Sequence, residues 1–242
     1  MKPPSKPSRV AAKTDPANKS EPTIVRKGIL LVDDHPFMRA GLAQLINKQP
    51  DFFVCGEAGD PMEAKRELAR IKVDLILSDI TMPGRSGLEF IKDIHAVDPE
   101  LPILVVSMHD EMLYAERVLR AGARGYIMKG AGGENLLLAI RQVLNGETYI
   151  SAKVSAKIVD AFSARKPRGS SSPIEKLSDR EFEVFQLVGL GNSTREIGIR
   201  LNLSPKTVDV HRGTIKKKLQ LKDATELVRY AIRWVETQNL SP

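Results

Sequence analysis

The sequence predicts an α/β fold built on a parallel, doubly wound sheet, followed by a small all-helical unit of four helices. Three observations carry this. From Gly28 to about residue 150, short Val/Ile/Leu-rich runs alternate with helix-length stretches, the pattern of buried strands joined by crossover helices. Beyond the stretch ARKPRGSSSP (164–173), which has linker composition, only helical patterns remain. Charge divides at the same place: residues 28–150 carry 13 Lys/Arg against 18 acids, and residues 151–242 carry 17 against 10. An acidic segment beside a basic one suggests two units with different partners, and 242 residues suit two ordinary domains.

The expected division is a disordered basic tail over 1–27, an α/β domain over 28–150, a helical connection and linker over 151–173, and a helical domain over 174–242. The tail is rich in Pro, Ser, Lys and Ala, with seven Lys/Arg against two acids and no apolar periodicity. No apolar run approaches the length that crosses a bilayer, and the polar start does not read as a secretory signal. The single cysteine, Cys55, is expected to be a small buried hydrophobe. These features fit a cytoplasmic protein.

In order, strands are expected near Ile29–Val32, Phe52–Cys55, Leu75–Ser78, Ile103–Ser107 and Tyr126–Met128. The helices between and after them fall near Pro36–Asn47, Pro61–Arg70, Gly87–Val97, Glu111–Ala121 and Glu134–Leu144. Asn145-Gly146 stops the last of these, and a short helix near Ala152–Phe162 begins the connection. In the C-terminal part, Ser178 with Glu181, Ser193 with Glu196 and Asp223 with Glu226 have capping-box spacing, and Ser204-Pro205 is a cap followed by a first-turn proline. Helices follow at about 179–190, 194–201, 205–219 and 224–237. The second and third are separated only by Asn202 and Leu203, and the third is basic. That is the outline of a helix-turn-helix.

Four of the apolar runs end in polar residues: Asp33-Asp34, Asp79, Ser107 and Lys129. In a parallel sheet, ligands bind beyond the carboxyl ends of the strands, so three carboxylates, a hydroxyl and an ammonium should line one crevice. Hard oxygen ligands in small number suit Mg²⁺. A carboxylate at a strand end can act as a nucleophile toward phosphorus, and Lys129 is a point-charge partner for phosphate oxygens. Read singly, each acid is more simply a turn or helix cap, and Asp34 before His35-Pro36 could cap the first helix.

The strings LLVDDHPFMRAGL, DLILSDITMPGRSGLEFI, ILVVSMHDE and AGARGYIMKG resemble the receiver domain of bacterial two-component response regulators over about residues 28–150. The resemblance implies a five-stranded sheet of order 2-1-3-4-5, with Asp79 as phosphoacceptor. It implies Mg²⁺ bound by Asp34, Asp79 and the main-chain carbonyl of Thr81, with Asp33 assisting through water. Ser107 and Lys129 would read the phosphate, and Tyr126 would turn inward in response. Where many receivers follow the lysine with proline, this chain has Gly130, so no cis-proline constraint is expected.

The string LSDREFEVFQLVGLGNSTREIGIRLNLSPKTVDVHRGTIKKKLQL resembles the LuxR-type, or NarL-type, helix-turn-helix. At 100° per residue, Val208, Ile215 and Leu219 share the core face. Lys206, Val210, Gly213 and Lys217 point away from it, as a groove-reading face requires, with Thr207, Arg212 and Lys216 on its flanks as expected backbone clamps. Asp209 is unusual on such a face: it would accept from a cytosine amino group or orient Arg212. Leu227, Tyr230, Ala231 and Trp234 at helical spacing are either a dimer face or packing within their own domain.

Together these features imply a DNA-binding transcriptional regulator controlled by phosphorylation. A sensor histidine kinase would supply the phosphoryl group, and a homodimer would form on phosphorylation. The site would be a switch, not a turnover enzyme. A Mg²⁺-dependent phosphohydrolase is one rival, and the absence of an acid two residues after Asp79 counts against it. A regulator that binds DNA without phosphorylation is a second, and the complete acid, hydroxyl and lysine set argues against that.

Overall fold

The computed structural model describes residues 26–82, 86–163 and 173–239. The expected tail up to residue 25 and the linker from 164 to 172 lie outside the described residues. Five strands, β1 (Lys27–Val32), β2 (Phe52–Ala58), β3 (Leu75–Ser78), β4 (Ile103–Ser107) and β5 (Gly125–Met128), form one sheet of order β2-β1-β3-β4-β5. Every pairing is parallel. Five helices follow the strands: α1 (Pro36–Asn47), α2 (Pro61–Leu68), α3 (Gly87–Val97), α4 (Glu111–Arg120) and α5 (Gly133–Leu144). Then come α6 (Ala152–Ser163), a 3-10 turn over Pro173–Lys176, and α7 (Asp179–Gly189), α8 (Thr194–Leu201), α9 (Pro205–Leu219) and α10 (Ala224–Asn239).

The period-two alternation of β1 decides which residues meet which helices. Ile29 and Leu31 face one way and pack with Ile46 of α1 and Leu136, Ile140 and Val143 of α5. Leu30 and Val32 face the other way and pack with Leu88, Phe90 and Ile91 of α3 and Tyr114 and Val118 of α4. β2 is one of the two edge strands and only partly covered, so Cys55 is half-buried, less enclosed than its apolar neighbours suggested. Burial still pushes its thiol pKa up.

The second core does not stop at α3 and α4. It continues into the helical domain through Phe182, Phe185, Val188, Ile197, Val208 and Ile215. The Tyr114 and Phe182 rings meet edge to face at 5.4 Å. Trp234 packs its ring on Phe182 and Phe185, and Leu227 and Ala231 are fully buried. The apolar stripe of α10 is therefore internal packing of its own domain.

The caps follow the expected chemistry. Ser178 and Ser193 each close a reciprocal box with Glu181 and Glu196, satisfying donors that helix ends leave orphaned. Asp223 Oδ1 accepts from Glu226 N, but the Glu226 carboxylate accepts from Lys222 N instead of from the N–H of the cap itself. The α8–α9 turn is tight because Asn202 adopts a left-handed conformation (φ 51°, ψ 47°). A Cβ on Gly198 would lie 2.7 Å from the Leu203 carbonyl oxygen, so only glycine allows that approach.

Candidate functional site

The sheet delivers Asp33, Asp79 and Lys129 to one point. Asp79 follows β3, its main-chain N–H donating to Val32 O at 2.8 Å, which aligns it with the end of β1. Lys129 Nζ lies 2.7 Å from Asp79 Oδ2 and 2.8 Å from Asp33 Oδ2, and all three side chains are about 5% exposed or less. Asp79 Oδ1 accepts from the main-chain N–H groups of Ile80 (2.6 Å) and Thr81 (3.2 Å). Burial raises the Asp79 pKa, and Lys129 opposes that only in part. At Lys129 the order is reversed: burial disfavours the ammonium, but the two carboxylates outweigh it and the pKa rises.

Asp34 stands beside this pair. It does not cap α1: His35 occupies the N-cap position with no side-chain cap bond, and Asp33 Oδ1 accepts from His35 N at 2.8 Å. Asp34 Oδ1 is buried and lacks a hydrogen bond, although His35 Nδ1 lies 2.7 Å away as a charge partner when protonated. Ligand atoms of Asp33, Asp34, His35 and Asp79 all lie within 4.8 Å of one another. One ammonium among three carboxylates leaves two negative charges uncompensated, and one oxygen has no donor. This donor set fits a hard divalent cation such as Mg²⁺.

Ser107 and Tyr126 sit one step further out. The β4–β5 register sets Ser107 beside Met128, the residue before Lys129. Ser107 is fully buried, and its Oγ accepts from His109 N at 3.2 Å. Tyr126 is already turned inward at 1% exposure, with its hydroxyl donating to His109 O at 2.7 Å. Burial drives its pKa well above the usual phenol value. Thr81 Oγ1 and His109 Nε2 are 2.7 Å apart across the mouth of the crevice. Lys129 opens a single 3-10 turn through Ala131.

His109 also stacks on Tyr114, centroids 4.7 Å apart, and there the crevice meets the helical domain. The Tyr114 hydroxyl donates to Gln186 of α7. Arg117 donates to the carbonyl oxygens of Ile174 (3.1 Å) and Leu177 (3.2 Å), pairs with Asp179 at 3.2 Å and lies 4.1 Å over the Phe182 ring. Lys92 reaches the other oxygen of Asp179 at 2.5 Å. Ser86 donates to the buried Glu183 at 2.6 Å. A cavity of about 240 Å³ lies in this seam, lined by Thr81, His109, Tyr114, Glu183, Leu187 and Trp234 among others. Of these residues the sequence pointed to Thr81, through its carbonyl, and Trp234, on the α10 stripe, but not to Tyr114, Arg117, Asp179, Glu183 or Gln186. The one signal was Glu183, an acid set among the apolar positions of α7.

On α9, Val208 and Ile215 are fully buried and Leu219 nearly so, whereas Val210 is 61% exposed. Lys206 and Lys217 are exposed beside it, and Thr207, Arg212 and Lys216 are half-buried. A Cβ on Gly213 would meet nothing within 4 Å. Two flank residues are partly engaged: the hydroxyls of Thr207 and Ser204 are 2.8 Å apart, and Arg212 NH1 donates to Thr194 Oγ1 at 2.8 Å. Lys218, by contrast, is held by Glu181 at 2.6 Å.

An acidic crevice at the strand ends of a 2-1-3-4-5 sheet, docked to a basic helix-turn-helix, defines a regulator with a receiver and a DNA-binding output. Residues 29–141 match the response regulator receiver domain family, and residues 175–231 match the bacterial regulatory proteins of the luxR family. The chain belongs to the two-component response regulators of the LuxR/NarL type, DNA-binding regulators of transcription. It is 41% identical over 209 residues to the oxygen regulatory protein NreC of Staphylococcus aureus, covering 85% of this chain and 96% of that one. A LuxR-family two-component response regulator from Aurantimonas sp. SI85-9A1 shares 33% identity with a TM-score of 0.53 over 57% of this chain and 99% of that one. RcsB from Salmonella enterica serovar Typhimurium, solved bound to a promoter with the phosphomimetic BeF3-, shares 26% identity with a TM-score of 0.59 over 85% and 98%. Among the described residues, no helix is long and apolar enough to cross a membrane.

Proposed function

We propose that Asp79 is the phosphoacceptor of a phosphorylation switch that sets DNA affinity. The supporting observation is the Lys129 ammonium bridging Asp33 and Asp79, beside an Asp34 oxygen without a donor. An Asp79 carboxylate oxygen attacks the phosphorus of a phosphohistidine on a sensor kinase. A P–O bond forms, the P–N bond breaks, and the electron pair leaves with the imidazole. Mg²⁺ held by Asp34, Asp79 and the Thr81 carbonyl, with Asp33 through water, would supply neutralisation of the transferring charge. Lys129 pairs with the phosphoryl oxygens, and the Ser107 hydroxyl donates to them.

The new group carries roughly two negative charges. Engaging Ser107 disturbs its bond to His109 N, and His109 also anchors Tyr126 and stacks on Tyr114. The route therefore leads to α4 and its contacts with α7. Loosening that seam frees the output domain and lets two copies pair. This shifts an existing equilibrium toward the DNA-binding form. Lys206, Val210, Gly213 and Lys217 face the groove, and Thr207, Arg212 and Lys216 clamp the backbone. We read residues 28–150 as the receiver, 151–173 as the connection and 174–242 as the output domain. The protein acts in the cytoplasm, and the phosphoryl group is a mark, not a turnover intermediate.

Incubation with Mg²⁺ and acetyl phosphate should give an acid-stable, base-labile phosphate that is absent from Asp79→Asn. Labelling that survives this substitution sinks the assignment. Rapid turnover of the donor instead of slow loss of label would favour a phosphohydrolase.

A further inference from the structure

Asp209 is the only acid on α9, among Lys206, Arg212, Lys216, Lys217 and Lys218. It is exposed, and its neighbour Val210 is the most open apolar residue of the helix. The ordinary fate of such an acid is an ion pair one turn away. Here the position four residues on is Gly213, and the Arg212 guanidinium is turned to Thr194 Oγ1 at 2.8 Å. The Thr194 hydroxyl in turn donates to Asp209 Oδ1 at 3.3 Å. Arg212, Thr194 and Asp209 thus form a relay from the first residue of α8 to the outer face of α9. The relay fixes the carboxylate without neutralising it, and Asp209 Oδ2 takes no hydrogen bond among the described residues.

A fixed, unpaired carboxylate on a helix that enters DNA is repelled by phosphates and by the N7 and O6 acceptors of purines. The major-groove donors are the exocyclic amino groups of cytosine and adenine. On adenine the amino group lies between two acceptors, its own N7 and the thymine O4, which repel a carboxylate. The cytosine N4 amino group has an acceptor, the guanine O6, on one side only and C5–H on the other. We propose that Asp209 is a specificity-determining residue that accepts a hydrogen bond from a cytosine amino group, with Thr194 as its positioning residue. The proposal rests on the reading that α9 is the groove helix. It settles the choice the sequence leaves open: Arg212 is braced by Thr194, and the acid is left for the base.

Selection from randomised duplex DNA by the acetyl phosphate-treated full chain tests this. The wild type should enrich a motif in which one C·G pair is replaced only at a loss of about 5- to 150-fold. Asp209→Asn keeps an acceptor for Thr194, and asparagine pairs with adenine N6 and N7, so preference at that position should move from C to A with the rest of the motif unchanged. Asp209→Ala should make the position indifferent while raising affinity for unrelated DNA, because a negative charge leaves the interface. Thr194→Val should weaken the C preference without moving it to another base. An unchanged motif in the Asn and Ala variants, or a uniform loss of affinity across all sequences, overturns the proposal. Loss of binding in Lys206→Ala and Lys217→Ala alongside an unchanged Asp209→Asn motif would overturn it while leaving the groove-helix reading intact. If those lysine variants bind as the wild type does, the groove-helix reading falls and takes the proposal with it.

Discussion

The crevice at the sheet edge and the outer face of α9 are both charged, and they hold charge in opposite ways. In the crevice, Asp33, Asp79 and Lys129 are almost wholly buried, and the Lys129 ammonium ties the two carboxylates together. On α9, Lys206 and Lys217 are exposed, and their interactions in the free protein are screened by solvent and salt. Buried charges are set by the fold and act as a unit, so removing one changes the meaning of the rest. Exposed charges act nearly independently, and each contributes a small, salt-dependent increment. The first arrangement suits a switch that must respond to a single added group, and the second suits a surface that sums many weak contacts to a long polyanion.

The largest test of this contrast is Lys129→Ala. It leaves two carboxylates buried without their cation, a loss of about 3–5 kcal/mol for a broken buried pair. Urea unfolding of the full chain should therefore show a clearly lower midpoint. Added Mg²⁺ should raise that midpoint more in the variant than in the wild type, since binding to the folded state stabilises it by linkage. A midpoint equal to that of the wild type would mean that the crevice behaves like the exposed helix face.

Between the two regions lies the seam, and Arg117 is its most connected residue. Arg117→Ala removes two carbonyl contacts, the Asp179 pair and the Phe182 stacking at once. Charge-assisted bonds of this kind are worth about 1.5–3 kcal/mol each when buried. The docked form should lose about 2 kcal/mol net, enough to open a sizeable fraction of molecules. Small-angle scattering should report a larger radius of gyration, and DNA affinity should rise without phosphorylation. An unchanged radius would assign the docking to the apolar contacts of Tyr114, Phe182 and Trp234.

A smaller effect on the same seam comes from Glu183. Burial raises its pKa above the ordinary value of 4.5, and the Glu89 charge adds to this, while Ser86 and Arg180 pull it down. The docked form therefore binds a proton more tightly than the undocked one. Its contribution to docking is fully present below about pH 4.5 and is lost as pH rises from there through the raised value. Glu183→Gln mimics the neutral acid and should flatten that dependence. A scattering profile that opens as pH falls would reverse the sign and refute the assignment.

Legibility in the sequence followed the same division. The crevice could be read because β1, β3, β4 and β5 are short apolar runs ending in Asp33, Asp79, Ser107 and Lys129, and parallel topology forces those ends together. α9 could be read because Val208, Ile215 and Leu219 fix its buried side, so Lys206, Val210 and Lys217 must lie opposite. The seam could not be read. Tyr114 and Arg117 sit on an ordinary amphipathic helix, and their partners are 57 to 72 residues away in the chain, across a boundary that no local periodicity spans. The role of Asp34 was ambiguous for another reason: an acid before a helix caps it in most settings, and only the His35 N-cap geometry removes that option.

The smallest predicted effects belong to α9 and are the ones that isolate its behaviour. Each phosphate contact contributes about 0.9 to the slope of log affinity against log salt. Lys206→Ala and Lys217→Ala should each reduce the slope by that amount if each lysine meets one phosphate, and the double variant by about twice it. That additivity is what separated, solvent-exposed sites give. It contrasts with the crevice, where Asp79 and Lys129 are direct partners, so Asp79→Asn and Lys129→Ala should combine to less than the sum of their separate effects on the urea midpoint. Filter binding or fluorescence anisotropy across a salt series measures the first, and denaturation of the single and double variants measures the second. Non-additive slopes on α9 would show that its lysines, too, depend on one another. The distinction between a buried unit and an exposed array would then fail on the side where it is easiest to check.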